Sequence, residues 1–279
     1  MENKIQETKD FLEKYDSSKY EKPSVTVDIP VFKVDDGGNG KVLQLLLIRR
    51  KNHPYKDCFA LPGGFIEMKE SLEESAFREL IEETNMTVTH MEQLCTMGAV
   101  NRDPRMRIIS VVYLAFARAE NSEATAGDDA AEAMWFNIYK ETGEKEKLVF
   151  ENIEKNIKFS YVMCPDERKG VFVNFPEFIK EDTISHAEGL AFDHATIIYM
   201  ALKHIKEKIL YTQEAFKIMP DEFTLTELQE IYESIIGKSL YKANFRKKVL
   251  PLVQKTDNKK TKVAHRPVQY YEYRNNINK

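Results

Sequence analysis

Alternating or largely apolar segments recur between residues 24 and 139, and these hydrophobic patterns predict β-strands. The first such segment, SVTVDIPVFKV at 24–34, is rich in β-branched residues and is followed by a turn-forming sequence. A largely apolar strand is predicted at 42–50. A loop from residue 97 leads into a long apolar strand ending at 117, and another strand is predicted at 133–139. Between 140 and 188 no regular pattern is visible, so we predict irregular structure there.

Helical periodicity dominates the rest of the chain. Apolar residues recur three and four apart over 189–210, which predicts a helix. A second helix is predicted after Thr224, because Thr224 and Glu227 form a capping box, and Gly237 ends it. A basic helix, a basic turn (KTDNKKTK) and a strand follow. We therefore predict an α+β protein whose helices cover a strand-rich core, with a domain at 1–210, including a polar N-terminal extension, and a smaller domain at 215–275.

The composition is typical of a globular protein in water, with 42% hydrophobic and 31% charged residues. The longest nearly apolar run, 108–117, is about half the ~20 residues that a membrane-spanning helix needs. The first ten residues lack the apolar stretch of a secretory signal, and the three cysteines lie far apart. We expect a cytoplasmic protein with reduced thiols.

Charge is distributed unevenly along the chain. The whole sequence has a net charge of −4, but residues 241–279 hold eleven Lys and Arg against two acidic residues, a net +9, which leaves −13 for the preceding 240 residues. A basic segment on an acidic body indicates an anionic partner for that segment. A solvated terminal extension would have the same composition, and composition alone does not separate the two.

The segment GGFIEMKESLEESAFRELIEETN, at 63–85, holds seven glutamates that repel one another at neutral pH. On a helix Glu79, Glu82 and Glu83 converge, and Arg78 can reach Glu82 one turn away. Clustered carboxylates suit a hard cation such as Mg²⁺ or Mn²⁺, which would relieve the repulsion. Most glutamate-rich helices are simply solvated, which is the alternative. The apolar residues of this helix are predicted to face the core: Phe77, Leu80 and Ile81.

The spacing of these residues resembles the Nudix box, G-x5-E-x7-R-E-U-x-E-E-x-G-U, where U is a bulky aliphatic residue. The matching positions are Gly64, Glu70, Arg78, Glu79, Leu80, Glu82 and Glu83. Asn85 stands where the family has Gly. We expect the helix to end there all the same, because Asn also tolerates the left-handed conformation. The resemblance implies a Nudix α/β/α sandwich that hydrolyses a nucleoside diphosphate linked to another group.

The same resemblance implies roles for the box residues. Glu79 and Glu83 are expected to bind Mg²⁺ or Mn²⁺, with Glu82 beside them contributing to metal binding and catalysis. Glu70 and Arg78 would orient this catalytic cluster. In this family a loop often supplies a separate general base, and the sequence does not choose among the acidic residues of the predicted loop at 121–132: Glu123, Asp128, Asp129 and Glu132.

Arginines near the box are candidates for phosphate binding, because guanidinium groups match phosphate geometry. The sequence NRDPRMR resembles the ADP-ribose-handling branch of the family, although a surface salt-bridge loop would also be rich in arginine. Trp135 or Phe136 could stack on adenine, but a core role is the better prediction, and His194 and His204 are expected to pack or face solvent. The candidate substrate-binding residues are Gly64, Arg49, Arg50, Arg102, Arg105 and Arg107.

The C-terminal segment resembles the winged-helix domain of Nudix-related transcriptional regulators, and the sequence at 15–28 resembles their N-terminal region. This resemblance implies double-stranded DNA as a partner, a nucleoside diphosphate-linked ligand such as ADP-ribose, and a homodimer. A basic cap that only aids solubility is the alternative. The residues expected to contact DNA from the basic helix and the wing are Lys242, Asn244, Arg246, Lys247, Lys259, Lys260, Lys262 and Arg266.

Two functional hypotheses follow. The first is a metal-dependent pyrophosphatase of the ADP-ribose type. The second is a DNA-binding repressor of NAD or sugar metabolism that uses the Nudix pocket as a sensor. The two are compatible, and the nearly intact box favours retained hydrolysis.

Overall fold

A computed structural model describes residues 2–37, 40–118, 124–125, 127, 130–141, 143–144, 146–164, 177–181, 189–211, 215–260 and 268–274. Its strands are β1 (Ser24–Asp28), β2 (Val31–Asp36), β3 (Lys41–Arg50), β4 (Phe59–Ala60), β5 (His90–Met97), β6 (Ile108–Phe116), β7 (Ala130–Glu141), β8 (Lys147–Asn152), β9 (Ile157–Cys164), β10 (Glu177–Glu181), β11 (Val253–Lys260) and β12 (Val268–Tyr273). Its helices are α1 (Glu2–Lys14), α2 (Leu72–Thr84), α3 (His194–Tyr211), α4 (Ala215–Ile218), α5 (Leu225–Ile236) and α6 (Lys242–Val249).

Strands β1 to β10 of the described chain form one mixed sheet in the order β1-β6-β2-β3-β7-β8-β9-β10, with β4 added to β3 and β5 to β6. Both β1 and β2 run parallel to β6, since Ser24 pairs with Ile108 and Val31 pairs with Ala115. The prediction of a single strand at 24–34 was therefore wrong. The segment breaks before Val31 because Pro30 has no N–H to donate to a neighbouring strand.

Helices cover both faces of this sheet, which explains why the middle of β3, residues 45–48, is an unbroken run of buried apolar residues. Leu46 packs into one core together with Leu80 of α2. Leu45 and Leu47 point to the opposite face, where they share a core with residues of α3 and α5. The result is the α/β/α layering that the sequence resemblance implied.

Several local predictions were wrong because long-range pairing decides them. The segment predicted to be irregular contains β8 and β9, which pair in register and stack Phe150 on Phe159 with ring centroids 4.9 Å apart. Strand β5 was not predicted at all. The basic turn was predicted at 255–262, but residues 255–260 belong to β11, and residues 261 and 262 lie outside the described residues. Phe77 and Ile81 do not face the core as predicted, since they are 45% and 46% exposed.

The C-terminal part folds as the sequence predicts, into two helices and a β-hairpin. The Thr224 and Glu227 side chains form both hydrogen bonds of the capping box, and Gly237 ends α5 in the left-handed conformation. The hairpin pairs β11 with β12, and Phe223 exchanges two backbone hydrogen bonds with Tyr271. Because α5 packs against β3 and α3, this part shares one hydrophobic core with the sheet. A division of the chain near residue 210 therefore stays a prediction.

Candidate functional site

Helix α2 places two acidic residues of the box, Glu79 and Glu83, on the wall of a cavity. Ser71 caps its N-terminus in a capping box with Glu74. Asn85 ends the helix at φ 53° and ψ 23°, and its N–H donates to the carbonyl of Ile81. The residue that departs from the box pattern thus adopts the left-handed conformation that glycine would supply.

Arg78 is the hub of the acidic cluster. It donates to both carboxylate oxygens of Glu70, at 3.0 and 2.7 Å, and to the carbonyl of Phe65 at 3.1 Å. One Nη atom also donates to Glu79 at 2.8 Å and to Glu82 at 3.0 Å, the contact one turn away that helical spacing predicts. The hydrogen bonds from Arg78, with one from a serine hydroxyl, lower the pKa of Glu70 to about 2. This network orders the cluster and favours the ionised form of Glu70.

Two glutamates of the cluster turn toward the cavity, and the third points away. Glu79 and Glu83 line the cavity wall, and Glu83 accepts a 2.8 Å hydrogen bond from the N–H of Gly63. Burial raises the pKa of Glu79 more than the neighbouring arginine lowers it. The Glu82 side chain is 57% exposed and does not line the cavity. Within the described residues, no set of three acidic, His or Cys side chains is arranged to hold a metal ion.

The cavity next to these carboxylates has a volume of about 410 Å³. Gly63 and Gly64 form part of its wall, where the backbone lies so close to Glu79 that a Cβ on Gly64 would be 2.5 Å from the carboxylate. Arg50, Arg105 and Phe192 line the same space. The cavity therefore combines carboxylates, guanidinium groups and an aromatic ring, as a ligand carrying phosphates and a ring system requires.

A buried ionic network forms another part of the wall. Arg102 donates to Asp28 at 3.1 Å and to Asp193 at 3.0 and 2.7 Å, and its side chain is only 5% exposed. His194 Nδ1 accepts from the N–H of Leu61 at 2.9 Å, while Nε2 lies 3.4 Å from Asp28. Burial opposes ionisation of Asp28, but His194 and Arg102 together keep its pKa below the usual range. Two carboxylates thus hold Arg102, which is one of the residues that line the cavity.

The other candidate arginines divide into two groups. Arg50 and Arg105 line the cavity, and Arg105 makes a bidentate pair with Asp103 at 3.0 and 2.8 Å. Arg107 instead donates to backbone carbonyls at 98 and 99, outside the cavity lining. Arg49 lies 3.7 Å from Glu132 and likewise does not line the cavity.

The two candidate aromatic residues lie away from the cavity, whereas His194 lines it. Phe136 is fully buried in the sheet core and Trp135 lies under the ammonium of Lys33, so neither lines the cavity. The ring that does line it on the side of Arg50 is Phe192, which the sequence analysis missed. No motif marks Phe192, because it lies more than one hundred residues beyond the box. His194 packs in the buried network, as expected, but on the cavity wall.

The loop proposed to supply a general base approaches the C-terminal end of α2. The N–H groups of Thr125 and Gly127 donate to the carbonyls of Thr84 and Glu83, at 3.1 and 3.0 Å. Of the four acidic candidates, Glu132 is described and pairs loosely with Arg49, whereas the others lie outside the described residues: Glu123, Asp128 and Asp129. The identity of the base stays open.

The candidate DNA-binding surface centres on α6. Lys242, Asn244 and Lys247 are exposed on this helix, while Phe245 is buried against Tyr232 of α5. Arg246 is half-buried, and its Nε atom is shielded from solvent. Strand β11 carries two further candidates whose side chains are outside the description, Lys259 and Lys260. The remaining two lie outside the described residues altogether, Lys262 and Arg266.

Comparison with known proteins agrees with this two-part architecture. Residues 23–153 match the model of the NUDIX domain, and residues 215–273 match that of the NrtR DNA-binding winged helix domain. The chain is 32% identical over 267 residues to the ADPR responsive transcriptional repressor NtrR of Acinetobacter baylyi. The aligned region covers 94% of this chain and 87% of that protein. The chain belongs to the NrtR family.

Two further similarities cover the parts of this NrtR-type protein. It is 38% identical over 154 residues to the ADP-ribose pyrophosphatase of Methanocaldococcus jannaschii, across 54% of this chain and 82% of that protein. A crystal structure of Shewanella oneidensis NrtR complexed with a 27mer DNA superposes with a TM-score of 0.62 at 26% identity, covering 89% of this chain and 93% of that chain. The predicted Nudix fold with a C-terminal winged helix is thereby confirmed.

These findings make the NrtR-type chain an ADP-ribose pyrophosphatase-like Nudix domain fused to a winged helix. Nudix hydrolases generally use a divalent metal. Among the described helices, none is long and apolar enough to cross a membrane.

Proposed function

We propose that this NrtR-type protein binds an ADP-ribose-like nucleoside diphosphate compound in the 410 Å³ cavity and hydrolyses its diphosphate linkage. The observation that supports hydrolysis most directly is the pair Glu79 and Glu83 on the cavity wall, held by Arg78 and by the N–H of Gly63. A purely structural acidic helix would turn these carboxylates toward solvent.

The residues present fit a hard divalent cation, Mg²⁺ or Mn²⁺. The absence of a side chain at Gly64 leaves room for the Glu79 carboxylate, and burial raises the pKa of that carboxyl, a cost that a nearby cation would offset. Glu79 and Glu83 would hold the ion, with Glu82 beside them. Mg²⁺ accepts two carboxylates and completes its shell with water and phosphate oxygens. When bound, such an ion neutralises phosphate oxygens and activates the attacking water.

The remaining residues of the site orient the cluster and the ligand. Arg78 fixes Glu79 and Glu82, and Glu70 fixes Arg78 in turn. Arg50 and Arg105 bring positive charge to the cavity wall, where they can balance the charge of a diphosphate. Phe192 and the buried network of Arg102 form further parts of the cavity wall.

The hydrolytic proposal is tested with Glu83→Gln and Glu82→Gln, using Glu7→Gln on the exposed helix α1 as the control. With Mg²⁺ and ADP-ribose we expect both box variants to lose at least ~100-fold in turnover, the scale of losing an electrostatic catalytic group. ADP-ribose should also raise the melting temperature of the wild type more than AMP does. Undiminished turnover in both box variants would refute the catalytic role.

We further propose that the protein is a DNA-binding regulator whose affinity for DNA responds to the cavity ligand. A single helix supports this coupling. Helix α3 begins at His194 on the cavity wall, and the preceding residue, Asp193, is bound to Arg102. Helix α3 also packs against α5 of the winged helix. A ligand that alters the start of α3 therefore acts on an element in contact with the DNA-binding part.

Polar contacts also join the far part of α3 to both domains. Glu92 of β5 accepts from Lys208 of α3 at 2.8 Å and lies 3.3 Å from His204, while Lys217 of α4 is 3.9 Å from the same carboxylate. The Glu92 carboxylate thus connects β5 to both α3 and α4.

We also propose a homodimer, which would present two winged helices to an inverted repeat.

The regulatory proposal is tested by measuring DNA affinity of the full-length protein with and without ADP-ribose, on DNA from upstream of its own gene and on unrelated DNA. Asp193→Asn removes one charge partner of Arg102 and should reduce the effect of the ligand on DNA affinity. Glu7→Gln should preserve the ligand effect. Equal affinity for DNA with and without saturating ADP-ribose in the wild type would contradict the sensor function.

A further inference from the structure

Phe192 occupies an unusual position on the cavity wall. Its φ angle is +51°, a left-handed conformation that costs conformational free energy for a bulky residue. The surrounding backbone fixes this turn, since Ala191 N–H donates to the carbonyl of Phe59 at 2.7 Å and Asp193 is held by Arg102. The chain therefore maintains a strained backbone that directs an aromatic ring to the cavity.

The ring of Phe192 contacts two guanidinium groups. Arg50 Cζ lies 5.0 Å and Arg105 Cζ 5.9 Å from its centroid, both over the ring. Tyr55 packs against the same ring edge-on, at a centroid distance of 4.7 Å. The face of an aromatic ring attracts cations, so Phe192 helps to hold the two like charges near one another. Asp103 also anchors Arg105, and the carbonyl of Pro54 accepts from Arg50 Nε at 3.0 Å.

Repulsion between the two arginines is visible in the electrostatics. The pKa of Arg50 is lowered, first by burial and then by the charge of Arg105, although Glu83 and Asp103 partly compensate. Arg50 is half-buried, and Arg105 is more exposed and paired with Asp103. Two guanidinium groups on one cavity wall make a site for a ligand with two linked negative groups. Phe65 does not duplicate the arrangement, because its ring lies under Arg105, at 5.4 Å, and has no cation contact with Arg50 in the described structure.

We propose that Phe192 is a positioning residue that holds Arg50 and Arg105 as one paired cation for the diphosphate of the ligand. The inference rests on the proposed ligand class and adds to it the residue that sets the distance between the two charges. Base stacking on Phe192 is the competing role. The contacts favour positioning, since guanidinium groups already lie over the ring.

The test compares binding of inorganic pyrophosphate, ADP-ribose and adenosine to full-length variants by calorimetry, without added divalent metal so that no ligand is hydrolysed. Phe192→Leu should weaken pyrophosphate and ADP-ribose alike by roughly tenfold, equivalent to about 1.4 kcal/mol. Phe192→Tyr keeps the aromatic face and should restore both affinities to within about twofold of the wild type. Phe77→Leu, which removes an exposed ring from α2, is the matched control and should change neither.

Each outcome decides between the roles. Weaker binding of ADP-ribose with unchanged binding of pyrophosphate would show that Phe192 stacks a base, and would overturn the proposal. Unchanged binding of both ligands would overturn it as well. If Phe192→Leu fails to fold, Phe192→Met takes its place, because it fills a similar volume without an aromatic face. A wild type that binds pyrophosphate but not ADP-ribose would refute the proposed ligand and leave the positioning role measurable with pyrophosphate.

Discussion

Adding one methyl group at Gly64 should reduce the rate of catalysis strongly and leave the stability of the fold nearly unchanged. In Gly64→Ala the added Cβ would lie 2.5 Å from Cδ and from both oxygens of the Glu79 carboxylate, whereas ordinary contact begins at 3.4 Å. The carboxylate must therefore retreat by the difference, about 0.9 Å. A misplacement of about 1 Å at a catalytic centre can cost ~100-fold in rate, which is the loss that we expect.

The fold should tolerate the same substitution. Gly64 is not in a left-handed conformation, and the atoms that must move are the end of a flexible side chain. The expected change in the free energy of unfolding is under about 1 kcal/mol. Gly63→Ala should behave differently, because φ is +149° and the added Cβ would lie 2.1 Å from the backbone oxygen of Val27. That variant should be strongly destabilised.

The assay measures two properties of Gly64→Ala, with Gly98→Ala as control because a Cβ there meets no atom within 4 Å. The first is Mg²⁺-dependent hydrolysis of ADP-ribose. The second is the rise in melting temperature on adding Mn²⁺ alone, which reports on the carboxylates without requiring turnover. A folded Gly64→Ala protein with wild-type turnover and a wild-type response to Mn²⁺ would refute the reasoning that Glu79 must occupy its present position.

Three further predictions follow from charged residues. Glu92→Gln should destabilise the protein by about 1–2 kcal/mol at pH 7, since Glu92 accepts charged hydrogen bonds. Because the fold lowers the pKa of Glu92 to about 2, the difference in melting temperature between wild type and variant should persist above pH 4.5 and shrink as the pH falls toward 2. A difference that does not change with pH would contradict this. Arg102→Leu leaves Asp28 buried without its cation and should cost about 3–5 kcal/mol in chemical denaturation, whereas a loss below 1 kcal/mol would show that the network is not structural. Lys247→Ala should reduce the slope of log affinity for DNA against log salt by about 0.9, the value for one phosphate contact, while Lys9→Ala on α1 should leave the slope unchanged.

The sequence by itself determined the features that depend on neighbours within a few turns of helix. The box spacing predicted that Arg78 reaches Glu82, and the Thr224 and Glu227 pair predicted the start of α5. The tolerance of Asn for the left-handed conformation predicted the end of α2 at Asn85. In each case both partners lie within one turn of the same helix, so the local geometry follows from the spacing of the residues.

Only the tertiary structure decided which residues meet across the cavity. Nothing in the sequence distinguishes Arg102 from Arg105, and both line the cavity in the fold. However, the fold buries Arg102 between carboxylates 74 and 91 residues away, whereas Arg105 pairs with Asp103, two residues away. It likewise brings Phe192 over two arginines that no periodicity or motif connects to it. A sequence pattern reports which residues share a strand or helix face, whereas the charge and burial around a side chain depend on chain segments that only the folded sheet brings together.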